Sequence, residues 1–319
     1  MAPAVAVLLS GSFRTLLDCN SSLVAHVHLA NPSLRFHTFA FLTVADDAER
    51  RAAERLVRHA FPCVRALRVE LDADVGAAVA RELPPVAALP KGRGTARGKA
   101  LNIVKMFRGI WAAHRLLRGA AREPPRGECA AGGGGEGEGG AYRLVLRVRP
   151  DLCFCKPLDL SAPASAVLAQ CDPHTWYLPW WSSKLEWAFD QLALGSAEAM
   201  ALYASAYRST LTQMVTNRRE LYPEAVMWEH LHSVTDQAKL KMLHGFHATL
   251  ARPRASGNPY HDDPFGKVRI DAAPSAVFVP RSPTNSCIAE ARSLRTLGSR
   301  AQGKPHGRRV RALRLREKR

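Results

Sequence analysis

Two arginines and an aspartate lie toward the end of an apolar segment of this chain. The segment Tyr142–Phe154 reads YRLVLRVRPDLCF, and Arg147, Arg149 and Asp151 alternate along it. Alternation predicts that these three side chains share one side of a strand. Ligands bind at the carboxyl ends of strands in open α/β sheets, and a carboxylate near bound phosphates is suited to a divalent cation. The alternative is an internal ion pair of Asp151 with Arg147 or Arg149, which would hold the end of the strand together.

A second segment suited to phosphate follows the first apolar run. It consists of Ser10, Gly11, Ser12, Phe13 and Arg14. Small residues that lead into a helix expose backbone N–H groups, and the helix dipole favours an anion there. Arg14 adds a charged donor. The alternative is an ordinary strand–helix turn with a surface arginine.

The elements that must position these residues alternate along the first half of the chain. Hydrophobic patterns predict strands over 5–9, 34–44 and 64–71, with strand four in the segment that begins at Tyr142. Helices are predicted over 15–29, 46–60 and 100–118, and in the second half over 197–215 and from Pro223. Alternation of strands with helices predicts an α/β, Rossmann-like, mostly parallel sheet with helices on both faces. One domain is expected over 1–290, with a low-complexity insertion at 120–141.

Charge and cysteine usage bear on partners and compartment. The formal net charge is +17, and eleven of the basic residues lie between Arg292 and Arg319 against one acid, Glu317. Residues 291–319 are therefore predicted to be a basic disordered tail, which suggests a polyanion partner or a merely solvated extension. Seven cysteines without a C-x-x-C pair favour free thiols over a disulfide. With no export signal or membrane span recognised, the expected location is cytoplasmic; a missing N-terminal anchor would instead imply the Golgi or secretory lumen.

Taken together, five segments resemble a GT-A-like group of glycosyltransferases. They are LLSGSFRT, NIVKMFRGIWAAHRLL, YRLVLRVRPDL, FDQLALGSAEAMALYASAY and YPEAVMWEHL, within residues 4–235. The resemblance implies a nucleotide-sugar donor bound over a Rossmann-like sheet, usually with Mn²⁺ or Mg²⁺. This chain departs from the family pattern, since R-x-R-P-D stands where D-x-D is usual and Arg143 stands where an Asp would be expected. In the light of the resemblance, Arg147 and Arg149 are expected to contact the donor, and Asp151 to hold the cation.

Two carboxylates are candidates for the catalytic base. An inverting transfer needs a group that removes the proton of the acceptor hydroxyl, and Asp190 or Glu224 would serve. Asp190 precedes Gly195 and Ser196, and its alternative role is a helix cap or a buried structural acid. Glu224 follows Pro223 at a helix start, where the helix dipole alone favours a carboxylate.

Aromatic and basic residues complete the predicted site. Aromatic faces stack on sugar rings, so Trp180, Trp181 and Trp187 are acceptor-binding candidates, although large aromatics are more often core. The loop Lys91–Lys99, followed by Asn102 and Lys105, is a candidate lid over the donor phosphates; the alternative is a flexible solvated loop. The remaining metal-ligand candidates are His261, Asp262 and Asp263, in a segment that otherwise reads as a loop.

The resulting hypothesis is transfer of a sugar from a nucleotide-diphosphate donor to a carbohydrate or other hydroxyl acceptor. Two alternatives stay open. One is a non-catalytic polyanion- or nucleic-acid-binding protein, in which the tail and the 91–99 loop matter and the sheet is a scaffold. The other is a glycosyltransferase-derived pseudoenzyme, since one carboxylate binds a cation weakly.

Overall fold

The structure is a computed structural model. It describes residues 2–83, 96–120, 142–170, 172–183, 185–216, 222–244, 246 and 248–250. The low-complexity insertion, the tail, the loop up to residue 95 and the His261–Asp263 segment lie outside the described residues, apart from position 120. Their predicted roles stay predictions. Within the described part of the chain, no helix has the length and apolar character needed to cross a membrane.

Eleven strands and eight α-helices are described. The strands are β1 Ala4–Ser12, β2 Arg35–Val44, β3 Val64–Leu71, β4 Leu144–Val148, β5 Leu152–Phe154, β6 Thr175–Leu178, β7 Trp181–Ser182, β8 Trp187–Ala188, β9 Leu192–Ser196, β10 Lys239–Met242 and β11 Ala248–Leu250. The helices are α1 Phe13–Leu23, α2 Asp47–Ala60, α3 Asp72–Glu82, α4 Ala96–Ala120, α5 Ser161–Gln170, α6 Ala197–Ala204, α7 Ala206–Thr216 and α8 Pro223–Val234; a π-helical turn, Val24–His28, extends α1.

Seven strands form the central sheet in the order β10-β6-β9-β4-β1-β2-β3. Strand β9 is antiparallel to both of its neighbours, and every other pairing in this sheet is parallel. Residues Val5–Leu9 of the central strand β1 are fully buried, as expected for a parallel sheet covered on both faces. The predicted α/β, Rossmann-like fold class is therefore confirmed.

Local sequence signals explain where the elements begin and end. Asp46 caps α2, because its carboxylate accepts a hydrogen bond from the Glu49 backbone N–H at 2.8 Å. Pro223 occupies the first turn of α8, where its missing N–H costs nothing. Strand β4 ends at Val148, shortly before Pro150, which cannot donate to a ladder. Residues 197–215, predicted as one helix, are divided between α6 and α7 at Ser205.

The prediction of free thiols is wrong for four cysteines. Cys19 of α1 and Cys153 of β5 form a disulfide across a sequence separation of 134, and Cys63 and Cys155 are disulfide-bonded as well. Spacing along the chain could not reveal the first pair, because α1 meets β5 only in the folded protein. Chain entropy alone assigns a loop of this length a stabilisation of about 5 kcal/mol.

A buried histidine makes the stability of the fold depend on pH. The His28 ring lies 4.7 Å from the Phe36 ring and 5.8 Å from the Phe61 ring, centroid to centroid. Neither ring nitrogen has a hydrogen-bond partner within the described residues. Burial lowers the pKa of His28 from 6.5 to about 4. Between pH 6.5 and about pH 4, His28 is therefore mainly protonated in the unfolded chain and mainly neutral in the folded chain.

We expect acidification from pH 7 to pH 5 to lower the free energy of unfolding by about 2 kcal/mol through His28 alone. The sign follows from the lowered pKa: the contribution is present above pH 6.5 and is lost as the pH falls toward 4. His28→Phe should remove this component while keeping a ring between Phe36 and Phe61. Urea unfolding at both pH values measures the difference. His59→Gln, at an exposed position of α2, is the control, and equal pH slopes in the wild type and His28→Phe would contradict the prediction.

Candidate functional site

Three chain segments meet at one edge of the sheet. Strands β1 and β4 are parallel with Leu9 opposite Val148, so the last three residues of β1 lie beside the segment that follows β4. Strand β9 is antiparallel to β4, and its first residue, Leu192, pairs with Val148. The residues just before β9 therefore lie at the same edge. This arrangement brings together Ser10–Phe13, Arg149–Asp151 and Asp190–Gln191.

Gly11 and Pro150 are in close contact. A Cβ atom placed on Gly11 would lie 2.8 Å from both Cγ and Cδ of the Pro150 ring, and Gly11 has a φ of +150°. A side chain fits neither the space nor the backbone conformation. The end of β1 thus touches the segment after β4 at Pro150, one residue before Asp151.

Ser10–Ser12 were predicted to form a turn after the first strand, but they are the last three residues of β1 and pair with Phe41–Thr43 of β2. Phe13 is buried, so its side chain belongs to the core, and Ser12 takes the N-cap position of α1 without a side-chain capping bond. The Ser10 hydroxyl is buried, and it has no hydrogen-bond partner in the described part of the chain. Arg14 lies in the first turn of α1, and its side chain is outside the described part of the structure.

Arg149 is the centre of the charged cluster. Its Nε donates to Asp151 Oδ1 at 2.8 Å, its Nη2 to Asp151 Oδ2 at 2.5 Å, and its Nη1 lies 3.8 Å from Asp190 Oδ2. The Arg149 side chain is 25% exposed and that of Asp151 11%. Burial acts to lower the pKa of Arg149, but the charges of Asp151 and Asp190 outweigh it and raise that pKa. The ion pair that the sequence left as an alternative for Asp151 is therefore present, with Arg149 as its partner.

Arg147, which was predicted to contact the donor, does not reach the surface. The residue is fully buried, and its Nη1 donates to the Gln191 carbonyl. Its Nε and Nη2 have no hydrogen-bond partner within the described residues. Burial lowers the pKa of Arg147 to about 10, a shift opposed by nearby Tyr203 and Asp190. Arg147 thus lies in the protein interior, close to the charges of Arg149, Asp190 and Asp151.

Asp190, which was predicted as a candidate base, is also interior. Its side chain is 1% exposed, and neither carboxylate oxygen accepts a hydrogen bond from the described residues. Burial raises the pKa of Asp190, while the charges of Arg149 and Arg147 act to lower it. An acceptor hydroxyl has no access to this carboxylate in the present arrangement. Asp190 therefore fits the buried structural acid that was its alternative.

Glu224 approaches the same cluster from another element. It lies in the first turn of α8, after Pro223, and is 8% exposed. Its charge is close enough to Arg149 to contribute to raising the pKa of that guanidinium. Of the two predicted bases, Glu224 is therefore the less buried one.

The predicted tryptophans are divided between two aromatic groups. The Trp187 ring lies 6.2 Å from the Trp180 ring and 5.4 Å from the Tyr222 ring. Trp181 stacks instead on Trp228, with 6.4 Å between the ring centroids. The adjacent Trp180 and Trp181 thus belong to different aromatic groups. Tyr222 is 36% exposed and was not predicted, although it directly precedes the Pro-Glu pair.

The two predicted donor contacts on α4 differ in environment. Lys105 forms an ion pair with Asp72 at 2.5 Å, and its side chain is 17% exposed. Asn102, one turn earlier, is exposed. Gly109, one turn after Lys105, brings α4 close to the site, since a Cβ there would lie 3.7 Å from the Ser10 Cβ. The Lys105 ammonium group is therefore paired with the carboxylate of Asp72, the first residue of α3.

The side chains at this edge do not match a divalent-cation site. Both oxygens of Asp151 accept hydrogen bonds from Arg149, so a cation bound there would share them with a guanidinium of like charge. The structure, over the residues that it describes, contains no group of three His, Cys, Asp or Glu side chains placed to hold a metal ion. The Asp151 carboxylate is therefore better matched to the Arg149 guanidinium than to a divalent cation.

Comparisons with known proteins assign no family to this chain. No protein-family model matches the chain, and no curated protein sequence matches it. Among solved structures, the crystal structure of mouse xyloside xylosyltransferase 1 in its apo form is similar at 11% sequence identity and a TM-score of 0.39. The alignment covers 76% of this chain and 84% of that chain. A likeness at this level carries no argument about activity.

Proposed function

We propose that this protein is a glycosyltransferase that moves a sugar from a nucleoside-diphosphate donor to a hydroxyl acceptor. One observation carries the proposal: Arg149, which is partly exposed and oriented by carboxylates, lies next to the point where the end of β1 touches the segment after β4. Ligands of open α/β sheets bind at this edge. The sequence resemblance to GT-A-like glycosyltransferases supports the same reading.

On the donor side, the chain offers fixed positive charge and backbone donors. Arg149 would donate to phosphate oxygens, and the backbone N–H groups in the first turn of α1, which begins at Phe13, would add further donors. In the transfer, the bond between the anomeric carbon and the diphosphate oxygen breaks, and the nucleoside diphosphate leaves with the electron pair. A guanidinium held in place beforehand stabilises the charge that develops on that oxygen.

On the acceptor side, we assign the base to Glu224 and the sugar-binding surface to Trp187 and Tyr222. The acceptor oxygen forms the new bond to the anomeric carbon, and its proton passes to the Glu224 carboxylate. Aromatic faces at Trp187 and Tyr222, which is next but one to Glu224 in the chain, would stack on the acceptor ring. A carbohydrate acceptor suits this surface better than a small alcohol.

The disulfides bear on the compartment in which this reaction would occur. Disulfides form and persist in oxidising environments and are rare in the cytosol. The Cys19–Cys153 bond therefore favours the secretory lumen over the cytoplasmic location expected from the sequence.

We expect the purified full chain to release nucleoside diphosphate when given the correct nucleotide sugar together with a saccharide acceptor. Glu224→Gln should lower kcat by about 100-fold or more with little change in donor binding, because general base catalysis contributes on that scale. A panel of nucleotide sugars and acceptors, read out by nucleoside-diphosphate release, tests both statements. Glu198→Gln is the matched control, since Glu198 lies exposed in the first turn of α6.

A lack of turnover and of binding with every donor would overturn the proposal. The polyanion-binding alternative predicts instead a salt-dependent affinity for heparin or RNA that disappears when residues 292–319 are deleted. That deletion should leave nucleotide-sugar binding unchanged if the proposed function is correct.

A further inference from the structure

Arg149 is held by carboxylates on two sides of its guanidinium. Asp151 accepts from Nε and Nη2, and Asp190 faces Nη1. The Arg149 backbone N–H also donates to the Gln191 carbonyl at 2.9 Å. An arginine has five N–H donors in a rigid fork, so this arrangement aligns the group and still leaves donors for another anion.

The exposure of the three side chains shows which of them a ligand can reach. Arg149 is 25% exposed, Asp151 is 11% exposed and Asp190 is 1% exposed. An anion that enters this edge therefore meets the guanidinium first. The carboxylates lie behind and beside it.

The formal charges of the cluster nearly balance. Arg147 and Arg149 supply two positive charges, and Asp151, Asp190 and Glu224 supply up to three negative ones. Burial favours the protonated form of Asp190, as its raised pKa indicates. This reduces the negative charge that a phosphate would meet.

We propose that Arg149 neutralises the diphosphate of the donor, and that Asp151 is a positioning residue for this guanidinium instead of a cation ligand. Nucleoside-diphosphate binding then needs no divalent cation. This inference rests on the proposed function, because it names the group that holds the donor of that same reaction. It replaces the expectation, drawn from the sequence, that Asp151 binds Mn²⁺ or Mg²⁺.

The first experiment uses the wild-type full chain, with uridine and guanosine diphosphates as probes. Isothermal titration is carried out after dialysis against EDTA and again with added Mn²⁺. We expect the same dissociation constant, within about twofold, in the two conditions. Binding that requires Mn²⁺ would overturn this inference while leaving the proposed function intact, whereas a lack of binding in both conditions would count against the proposed function itself.

The second experiment tests the two residues by substitution, in EDTA. Arg149→Ala should weaken diphosphate binding roughly 10- to 100-fold, as expected for the loss of hydrogen bonds to a charged group. Arg149→Lys should recover part of this loss, because it keeps the charge without the fork. Asp151→Asn should weaken binding about tenfold by releasing the guanidinium. Arg143→Ala, at an exposed position just before β4, is the control.

Comparing the affinities for a nucleoside and its diphosphate shows whether a substitution affects phosphate binding alone or disrupts the whole structure. Affinity for the parent nucleoside, which lacks phosphates, should be unchanged in Arg149→Ala and Asp151→Asn. Equal losses for nucleoside and nucleoside diphosphate would overturn the assignment of both residues. The comparison of EDTA with Mn²⁺ in the wild type stays decisive if a variant does not fold.

Discussion

Gly11→Ala should destabilise the protein by about 3 kcal/mol or more and abolish nucleoside-diphosphate binding. Two effects add: an alanine at a φ of +150° is strained by about 1–3 kcal/mol, and its Cβ would lie 2.8 Å from two carbons of the rigid Pro150 ring. The clash can be relieved only by moving apart the two segments that form the site. Urea unfolding and isothermal titration measure the two consequences.

A double substitution separates the steric effect at Gly11 from the backbone effect. Pro150→Ala in the Gly11→Ala background should restore part of the stability by removing the ring, but not the part due to φ. Gly76→Ala is the control, since a Cβ at Gly76 on α3 meets nothing within 4 Å and should stabilise the helix by up to about 1 kcal/mol. A Gly11→Ala variant that unfolds like the wild type would show that β1 and β4 do not meet as described.

Arg147→Met should cost about 3–5 kcal/mol of unfolding free energy, the scale for removing one partner of a buried charged group. Arg147 is fully buried, and its removal leaves the Gln191 carbonyl without this donor and Asp190 with less compensating charge. The double variant Arg147→Met with Asp190→Leu should lose less than the sum of the single variants, with a coupling of at least about 1 kcal/mol. Urea unfolding at pH 7 measures all three variants.

The control for Arg147 is an exposed ion pair on the edge strand β3 of the same sheet. Arg68 pairs with Glu70 on β3, and its side chain is 61% exposed. Arg68→Met should change the unfolding free energy by less than about 1 kcal/mol, because solvent screens such a pair. Equal effects at Arg68 and Arg147, or additive effects at Arg147 and Asp190, would contradict the description of Arg147 as the interior support of the cluster.

Several features of the fold could be predicted because they depend on neighbours in the chain. Buried strands such as β1 and β2 are apolar runs, and helices such as α2 show their cap and their amphipathic face within a few residues. Parallel strands end at a common edge, so the approach of Ser10–Phe13 to Arg149–Asp151 followed from the order of elements alone. Pro223 marked the start of α8 for the same local reason.

The sequence could not show which of the charged residues are buried and which are exposed. Arg147 and Arg149 are two residues apart on the same segment, yet one is fully buried and the other is 25% exposed. The difference arises because Arg147 lies within β4, opposite β1 and β9, whereas Arg149 follows the end of the strand. Asp190 is interior because the segment before β9 turns it toward the arginines.

The amino-acid sequence by itself determined the alternation of strands and helices, the edge at which a site would form and the residue types available there. Only the tertiary structure decided that Asp151 pairs with Arg149, that Glu224 of α8 approaches them, and that Cys19 bonds to Cys153. The physical reason is range: hydrophobic periodicity and capping act over a few residues, whereas ion pairs and disulfides depend on distances between segments that are far apart in the chain.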